Sequence, residues 1–226
     1  LGAQIIAGGD PLEAGRGYAR VAEGAIEALT AATIAMFEDV HGKVPDGELV
    51  ILALGRLGGG VLTHASDLDL VFLFTGHFNR QSNGMRPLAA TQYFNRLAKR
   101  ITNALSVPTA AGPLYEVDTR LRPSGAQGLL AVSVDSFARY QREEAWTWEH
   151  LALTRARPVF GSAAARAALA AILARTLGQR RDFEALARHA VAMRGDIARH
   201  KPPAGELDVK LVPGGLFDFE LLIHVT

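Results

Sequence analysis

The chain has no cysteine among its 226 residues. A disulfide framework, a thiolate metal site and a cysteine nucleophile are therefore excluded. The sequence also lacks an apolar run long enough to cross a bilayer, and it does not open with a basic segment followed by an apolar one. We therefore expect a cytoplasmic protein that has no membrane partner.

The chain has no excess of positive charge, because 24 Lys and Arg residues oppose 23 Asp and Glu residues. Sequence-independent binding to nucleic acid needs a basic field, so nucleic acid is not an expected partner. The 49% hydrophobic content is that of a globular protein with one large or two small domains. Leu1 and the apolar run at residues 221–226 resemble the interior of elements, so we expect a piece of a longer protein.

Two carboxylates, Asp67 and Asp69, stand on either side of one leucine at the start of an apolar run. Side chains alternate faces along a β-strand, so both acids project from the same face. Neighbouring carboxylates need compensation when they leave water, and Mg²⁺ takes carboxylate oxygens as ligands. The spacing therefore predicts a metal site, although a lone Asp-x-Asp is also found in capped loops and at solvated strand edges.

A glycine-rich turn, residues 55–60, precedes the acidic pair. Glycines let the backbone approach a ligand closely and leave N–H groups free for phosphate oxygens. The turn lacks the Gly-Lys-Ser/Thr ending of a Walker loop, and a strand rather than a helix follows it, unlike a Rossmann fingerprint. Glycine turn, acidic pair and strand in this order indicate metal-assisted chemistry on a nucleotide.

Hydrophobic periodicity predicts the surrounding elements. Continuous apolar runs predict buried strands at residues 49–54 and Leu68–Phe74, and helical spacing predicts helices at residues 18–41, 91–105, 133–155, Ala163–Leu177 and Phe183–His200. Within the long helix predicted at residues 133–155, we expect four buried side chains, those of Phe137, Tyr140, Ala145 and Trp148. Both tryptophans, Trp146 and Trp148, are expected in a helix core rather than as an adenine platform.

Residues 114–121 predict a third strand with an apolar and a polar face. If the polar face meets solvent, this is an amphipathic edge strand. If the strand lies beside the acidic pair, Asp118 supplies a third carboxylate to the same site, and we favour this arrangement. Near the end of the sequence, Asp218 and Glu220 indicate either a further acidic site or the first turn of a helix, where acids complement the macrodipole.

Several long motifs follow one another along residues 49–220. They are Gly55-Arg56-Leu57-Gly58-Gly59, Ser66-Asp67-Leu68-Asp69-Leu70, Tyr115-Glu116-Val117-Asp118-Thr119-Arg120-Leu121-Arg122-Pro123-Ser124-Gly125, Trp146-Thr147-Trp148-Glu149-His150 with Arg155-Ala156-Arg157, and Pro213-Gly214-Gly215-Leu216-Phe217-Asp218-Phe219-Glu220. In this order they closely resemble glutamate-ammonia-ligase adenylyltransferase, a family of the nucleotidyltransferase superfamily related to β-type DNA polymerases. Arg56 departs from the small residue usual in the superfamily and points to this narrower family.

The resemblance implies an α+β fold, with a polymerase β-like nucleotidyltransferase sheet and helices followed by a mostly helical bundle. We expect an N-terminal helical segment at residues 1–45, a catalytic domain at residues 46–130 and a helical domain at residues 131–226. The implied reaction transfers AMP from ATP to a tyrosine hydroxyl of glutamine synthetase and releases pyrophosphate, which regulates nitrogen assimilation. Glutamine synthetase is thus the expected partner, and the family admits the PII signalling protein as another.

The resemblance also implies roles for single residues. Asp67, Asp69 and Asp118 would be the catalytic residues and would hold Mg²⁺, the expected cofactor, with ATP as substrate. The expected nucleotide-binding residues are Gly55, Arg56, Gly58, Gly59, Ser66 and Arg120. An exposed loop arginine is the plainer interpretation of Arg56, and pairing with the acids that of Arg120. We assign His64 no role and expect Glu149, Arg155 and Arg157 to form a structural ion-pair network.

Residues 124–128 and 144–150 are similar to the C-terminal, adenylylating unit of the family, which carries two such units in tandem. Three alternatives stay open: the unit that removes AMP by phosphorolysis with the same acids, a nucleotidyltransferase for a small substrate, and a non-catalytic nucleotide-binding regulatory module on the same scaffold. Retention of all three acids argues against the last, because a binding module needs no electrostatically unfavourable carboxylate cluster.

Overall fold

The computed structural model of the chain describes residues 2–110 and 112–225. Within these residues, five strands form a mixed sheet in the order β5-β2-β1-β7, with β6 also paired to β2. Their bounds are β1 Leu49–Ala53, β2 Leu68–Phe74, β5 Val117–Asp118, β6 Ala131–Ser133 and β7 Arg157–Phe160, and a separate hairpin joins β3 Pro108–Thr109 to β4 Gly112–Pro113. A sheet combined with helices confirms the predicted α+β class.

Helices stand before, between and after these strands. They are α1 Gly2–Ile6, α2 Pro11–His41, α3 Gly55–Gly58, α4 Ala90–Leu105, α5 Val134–Glu143, α6 Thr147–Leu153, α7 Ala163–Leu177, α8 Phe183–His200 and α9 Leu216–Val225, with a 3₁₀ turn at Gly125–Gln127. None of the described helices has both the length and the apolarity that crossing a bilayer would require.

The two long apolar runs form an antiparallel pair across the glycine-rich segment, with Leu49 opposite Phe74 and Ala53 opposite Leu70. Strand β7 pairs with the other side of β1, also antiparallel. The short strands β5 and β6 run parallel to β2, β5 beside its start and β6 beside its end. The start of β2 therefore lies between β1 and β5, which is where the acidic motifs come together.

Alternate residues of β1 and β2 enter two separate cores on the two faces of the sheet. One face, with Ile51 and Phe72, packs against α2 and α4, which contribute residues such as Ile26 and Phe94. The other face packs against α5 and α7. Its members in the strands are Val50, Leu52, Val71 and Leu73, and those in the helices include Phe137 and Leu169. The C-terminal helices thus cover only one face of the sheet.

The prediction of one helix at residues 133–155 is wrong. Helix α5 ends at Glu143 and α6 begins only at Thr147, because Glu149 accepts a hydrogen bond from the Trp146 backbone N–H (2.8 Å) and starts a new helix there. The expectation that both tryptophans lie in a helix core is also wrong. Trp146 is 72% exposed and Trp148 41% exposed, while Phe137 is buried as expected. Tyr140 and Ala145 are half-buried.

Two strands of the sheet were not anticipated. Strands β6 and β7 come from the stretch expected to be helical and pair with β2 and β1. Strand β7 contains Pro158, which weakens the strand signal in the sequence but is tolerated because β7 is at the edge of the sheet. Helix α2 also begins earlier than expected, at Pro11, where the Asp10 side chain accepts a hydrogen bond from the Leu12 N–H.

Candidate metal and nucleotide site

The acidic pair lies where β2 begins. Asp67 directly precedes the strand, and Asp69 is its second residue. By strand alternation both acids share the face of Val71 and Leu73, which is the face covered by α5 and α7. Asp69 is half-buried, whereas Asp67 is exposed. The acids therefore occupy the open margin of a face whose remainder is core.

Strand β5 brings the third acid to the same place. It pairs in parallel with the start of β2, so that Asp118 is directly opposite Asp69. One carboxylate oxygen from each of Asp67, Asp69 and Asp118 lies within 4.8 Å of the others. The expected placement of this strand beside β2 is confirmed, and three carboxylates converge at spacings that a bound cation bridges.

The strand carrying Asp118 is much shorter than the predicted residues 114–121. It ends at Asp118 because that side chain accepts a hydrogen bond from the Arg120 backbone N–H (2.8 Å), which turns the chain. The Arg120 guanidinium then folds back and donates to both carboxylate oxygens of Asp118, the shortest bond being 2.5 Å. Arg120 thus pairs with an acid, the plainer of the two interpretations made from the sequence.

The three acids do not share one electrostatic environment. Burial, followed by the charges of Asp67 and Asp118, raises the pKa of Asp69 to about 6. The hydrogen bonds from Arg120 instead lower the pKa of Asp118. Nearby cations oppose this rise only in part: the charges of Arg120 and then Arg155 act to lower the pKa of Asp69, and Lys201 adds to the lowering of the pKa of Asp118. The cluster therefore carries partly uncompensated negative charge at Asp69.

Gly55 has a steric role in this cluster. Its φ of 53° lies in the left-handed region, and a Cβ on it would overlap a carboxylate oxygen of Asp69. The backbone of the glycine turn consequently lies directly against the acid. Helix α3 is formed by this turn, so the segment expected as an open loop contains one helical turn.

The other residues expected to bind nucleotide differ in whether their polar groups are already hydrogen-bonded within the protein. The amides of Gly58 and Gly59 donate to the carbonyls of Leu54 and Gly55, within the turn itself. The Ser66 hydroxyl bonds to Thr63, both to its N–H (3.0 Å) and to its hydroxyl (2.9 Å). Arg56 is exposed, so its guanidinium can reach a bound molecule. Asp67 and Asp118, with Arg120, line a cleft of about 300 Å³.

The expected network of Glu149, Arg155 and Arg157 does not form. Glu149 is buried and accepts hydrogen bonds from the Tyr140 hydroxyl (2.9 Å) and from the Trp146 N–H. Arg157 pairs with Glu23 of α2 (2.5 Å) and also donates to the Leu57 and Gly58 carbonyls, so it ties α3 to α2. Arg155 pairs with Glu220 at 3.4 Å.

Of the two C-terminal acids, Asp218 belongs to the first turn of a helix, α9. Asp218 pairs with Arg194 of α8 and accepts a hydrogen bond from the Gly214 N–H (2.6 Å) near the start of α9.

Sequence reasoning did not bring Arg155, Lys201 or Glu220 to the site. Arg155 and Glu220 each lie within a motif of the family resemblance, whereas Lys201 carried no such signal and reaches the region through tertiary packing.

A family profile described as Glutamate-ammonia ligase adenylyltransferase matches residues 6–172. The chain belongs to this family. Three curated relatives share one name, "Bifunctional glutamine synthetase adenylyltransferase/adenylyl-removing enzyme". The protein from Mesorhizobium japonicum is 43% identical over 228 residues, which is 100% of this chain and 23% of the relative. That from Brucella suis is 42% identical over 224 residues, 98% of this chain and 23% of the relative.

The third, from Agrobacterium fabrum, is 43% identical over 210 residues, which is 92% of this chain and 21% of the relative. The chain therefore spans less than a quarter of the length of these curated relatives. Their name gives two opposite activities, and a segment of this size corresponds to a part of such a protein.

Proposed function

We propose that the chain is an adenylyltransferase unit that transfers AMP from ATP to a tyrosine hydroxyl of glutamine synthetase and releases pyrophosphate. The observation that carries the proposal is the convergence of Asp67, Asp69 and Asp118 within 4.8 Å in a chain of this family. The relatives' printed name supports the substrate, and the similarity of residues 124–128 and 144–150 to the adenylylating unit supports the direction.

The donor set fits Mg²⁺. Three carboxylates supply hard oxygen ligands, and burial, followed by the charges of Asp67 and Asp118, raises the pKa of Asp69, so a bound cation would favour its ionised form. Asp118 keeps capacity for a metal although it accepts from Arg120, because a carboxylate offers about four lone-pair sites. Bound Mg²⁺ would neutralise charge on the phosphate oxygens and lower the pKa of the attacking hydroxyl.

The chain's own residues then divide the remaining work. Asp118 lines the cleft together with Asp67, and there it would orient the tyrosine hydroxyl and accept its proton. Gly55 lets the backbone pass close to Asp69, and its proposed role is to keep that carboxylate in place beside the α-phosphate. Arg56 and Arg120 are the cations proposed to contact the phosphates. For Gly58, Gly59 and Ser66, whose polar groups bond within their own turns, the proposed role is to shape that surface.

The test measures both directions with the same preparation. α-Labelled ATP and Mg²⁺ are offered with unmodified glutamine synthetase, and adenylylated glutamine synthetase is offered separately with phosphate. Label transfer in the first mixture, lost in Asp69→Asn, supports the proposal. Asp118→Ala is expected to lose kcat while sparing ATP affinity. Loss of both together would refute the role given to Asp118.

The second candidate is the adenylyl-removing unit, which the relatives' name supports equally. It would use the same acids, with phosphate as nucleophile and ADP as product. ADP release from the adenylylated protein, without any label transfer in the forward mixture, would replace the first proposal with this one.

A further inference from the structure

Arg155 and Arg157 are two residues apart at the entry to β7, but their guanidinium groups are used very differently. Arg157 donates to Glu23 (2.5 Å), to the Leu57 carbonyl (3.2 Å) and to the Gly58 carbonyl (3.3 Å). Arg155 makes one long contact, 3.4 Å, to Glu220. A guanidinium has five N–H donors, and Glu220 is the one acceptor that Arg155 has among the described residues. Most of its N–H groups are therefore available to a ligand.

The position of Arg155 relative to the acids follows from the glycine turn. A Cβ at Gly58 would overlap the Arg155 carbonyl oxygen, and one at Gly59 would be 3.5 Å from the Arg155 Cδ. At the start of the same turn, Gly55 lies against Asp69. A single turn of backbone therefore separates Arg155 from the acidic cluster.

We propose that Arg155 binds the β- or γ-phosphate of the nucleotide and that Glu220 of α9 holds its guanidinium until the nucleotide is bound. This assignment rests on the proposed function, because it requires ATP with its α-phosphate at the acids. In this assignment the rest of the triphosphate extends over the glycine turn, where Arg155 joins the exposed Arg56 as a neighbouring cation. Arginine matches phosphate oxygens with two parallel N–H donors.

The ion pair between Arg155 and Glu220 is weak enough for Arg155 to change partners. Both side chains are more than a third exposed, at 35% and 39%, and the 3.4 Å distance is near the limit of a hydrogen bond. Ion pairs of this kind are weak because water competes for both partners. A phosphate with more than one negative charge can therefore replace the single carboxylate of Glu220.

The test compares variants of the full chain by calorimetric titration with ATP and with AMP, both in the presence of Mg²⁺. Arg155→Gln is expected to weaken ATP binding roughly ten- to a hundred-fold, the usual range for a lost charge-assisted contact, and to leave AMP binding unchanged. Arg155→Lys keeps the charge and is expected to fall between wild type and Arg155→Gln. Glu220→Gln releases Arg155 and is expected to bind ATP at least as tightly as wild type.

Arg157→Gln is the matched control, since it removes the donors that tie α3 to α2. It is expected to lower the melting temperature and to weaken ATP and AMP alike. If the pair of Arg155 and Glu220 were only structural, Arg155→Gln and Glu220→Gln would weaken ATP binding equally, which would overturn the assignment. Wild-type ATP affinity in Arg155→Gln would overturn it as well, with the proposed function intact. Absence of Mg²⁺-dependent ATP binding in wild type would refute both.

Discussion

The sheet and the C-terminal helices differ in how deeply their side chains are buried. All five residues of β1 are buried, and Asp69 is the single member of β2 that is not. In α8 the side chain buried is that of Ala190, while Phe183 is 60% exposed and Val191 73% exposed. Stability therefore resides mainly in the sheet and the helices packed on its two faces, whereas α8 and α9 depend on fewer packed groups and on ion pairs such as that of Arg194 with Asp218.

The candidate site lies at the seam between these two regions. Its acids come from β2 and β5, which are anchored in the core, and the cations nearest to them include Arg155 and Lys201 from the C-terminal half. This arrangement places the metal-binding groups on the rigid part of the molecule. Of the groups proposed to act on the nucleotide, Arg56 and Arg120 belong to the same part, whereas Glu220, which holds Arg155, belongs to α9.

The largest expected effect tests the contrast directly. Phe72→Ala removes a fully buried ring from the sheet core, so we expect the free energy of unfolding to fall by about 3–5 kcal/mol. Val191→Ala is the control, because this exposed side chain should change stability by less than about 0.5 kcal/mol. Urea unfolding of both variants measures the difference. Similar losses in the two would mean that α8 is as tightly integrated as β2.

Gly55→Ala comes next, because it acts at the seam. The left-handed φ alone costs roughly 1–2 kcal/mol for a residue with a Cβ, and the new methyl group also displaces the Asp69 carboxylate. Gly60→Ala is the matched control: its φ is also positive, at 74°, but nothing lies within 4 Å of its Cβ position. Both variants should lose stability in urea, and only Gly55→Ala should also lose AMP transfer. Equal activity in the two would separate Gly55 from the site.

Asp69→Asn should change how the fold responds to Mg²⁺. Relief of repulsion from Asp67 and Asp118 is expected to stabilise the metal-free variant slightly. At ten times its Kd, Mg²⁺ should stabilise wild type by about 1.4 kcal/mol and the variant by less. Thermal melts with and without Mg²⁺ measure both effects. All buffers are free of Ca²⁺, so that no other divalent cation occupies the site. An equal Mg²⁺ response in wild type and variant would remove Asp69 from the metal site.

The smallest effect sharpens the comparison between α2 and α8. Gly24 and Gly195 are interior helical glycines, and a methyl group added to either would meet nothing within 4 Å. Gly24→Ala should raise the free energy of unfolding by about 0.4–1 kcal/mol, because alanine restricts the unfolded chain. Gly195→Ala should raise it less if α8 unfolds before the core. Chemical denaturation of both variants tests this. A larger gain in the free energy of unfolding for Gly195→Ala would contradict the expectation that α8 unfolds before the core.

Local pattern was a good guide wherever one chain segment sets its own period. The bounds of β2, α7 and α8 agree with those predicted, since long apolar or helical repeats depend on neighbouring residues alone. The shared face of Asp67 and Asp69 follows from strand alternation in the same way. The division into domains at residues 45 and 130 stays a prediction, although β6 and β7 from beyond residue 130 join the sheet.

The sequence by itself determined the buried strands β1 and β2 and the acidic pair, because spacing along the chain encodes them, and its resemblance to a known family implied the α+β class. Only the tertiary structure decided which groups meet: Asp118 with Arg120, Glu149 with Tyr140, and Arg155 with Glu220. It also exposed Trp146, whose apolar ring and helical surroundings had predicted a place in a core. Arg155 and Glu220 are far apart in the chain and meet only through packing, whereas the other two pairs are close in sequence and are selected among several possible partners by burial and charge in the assembled fold.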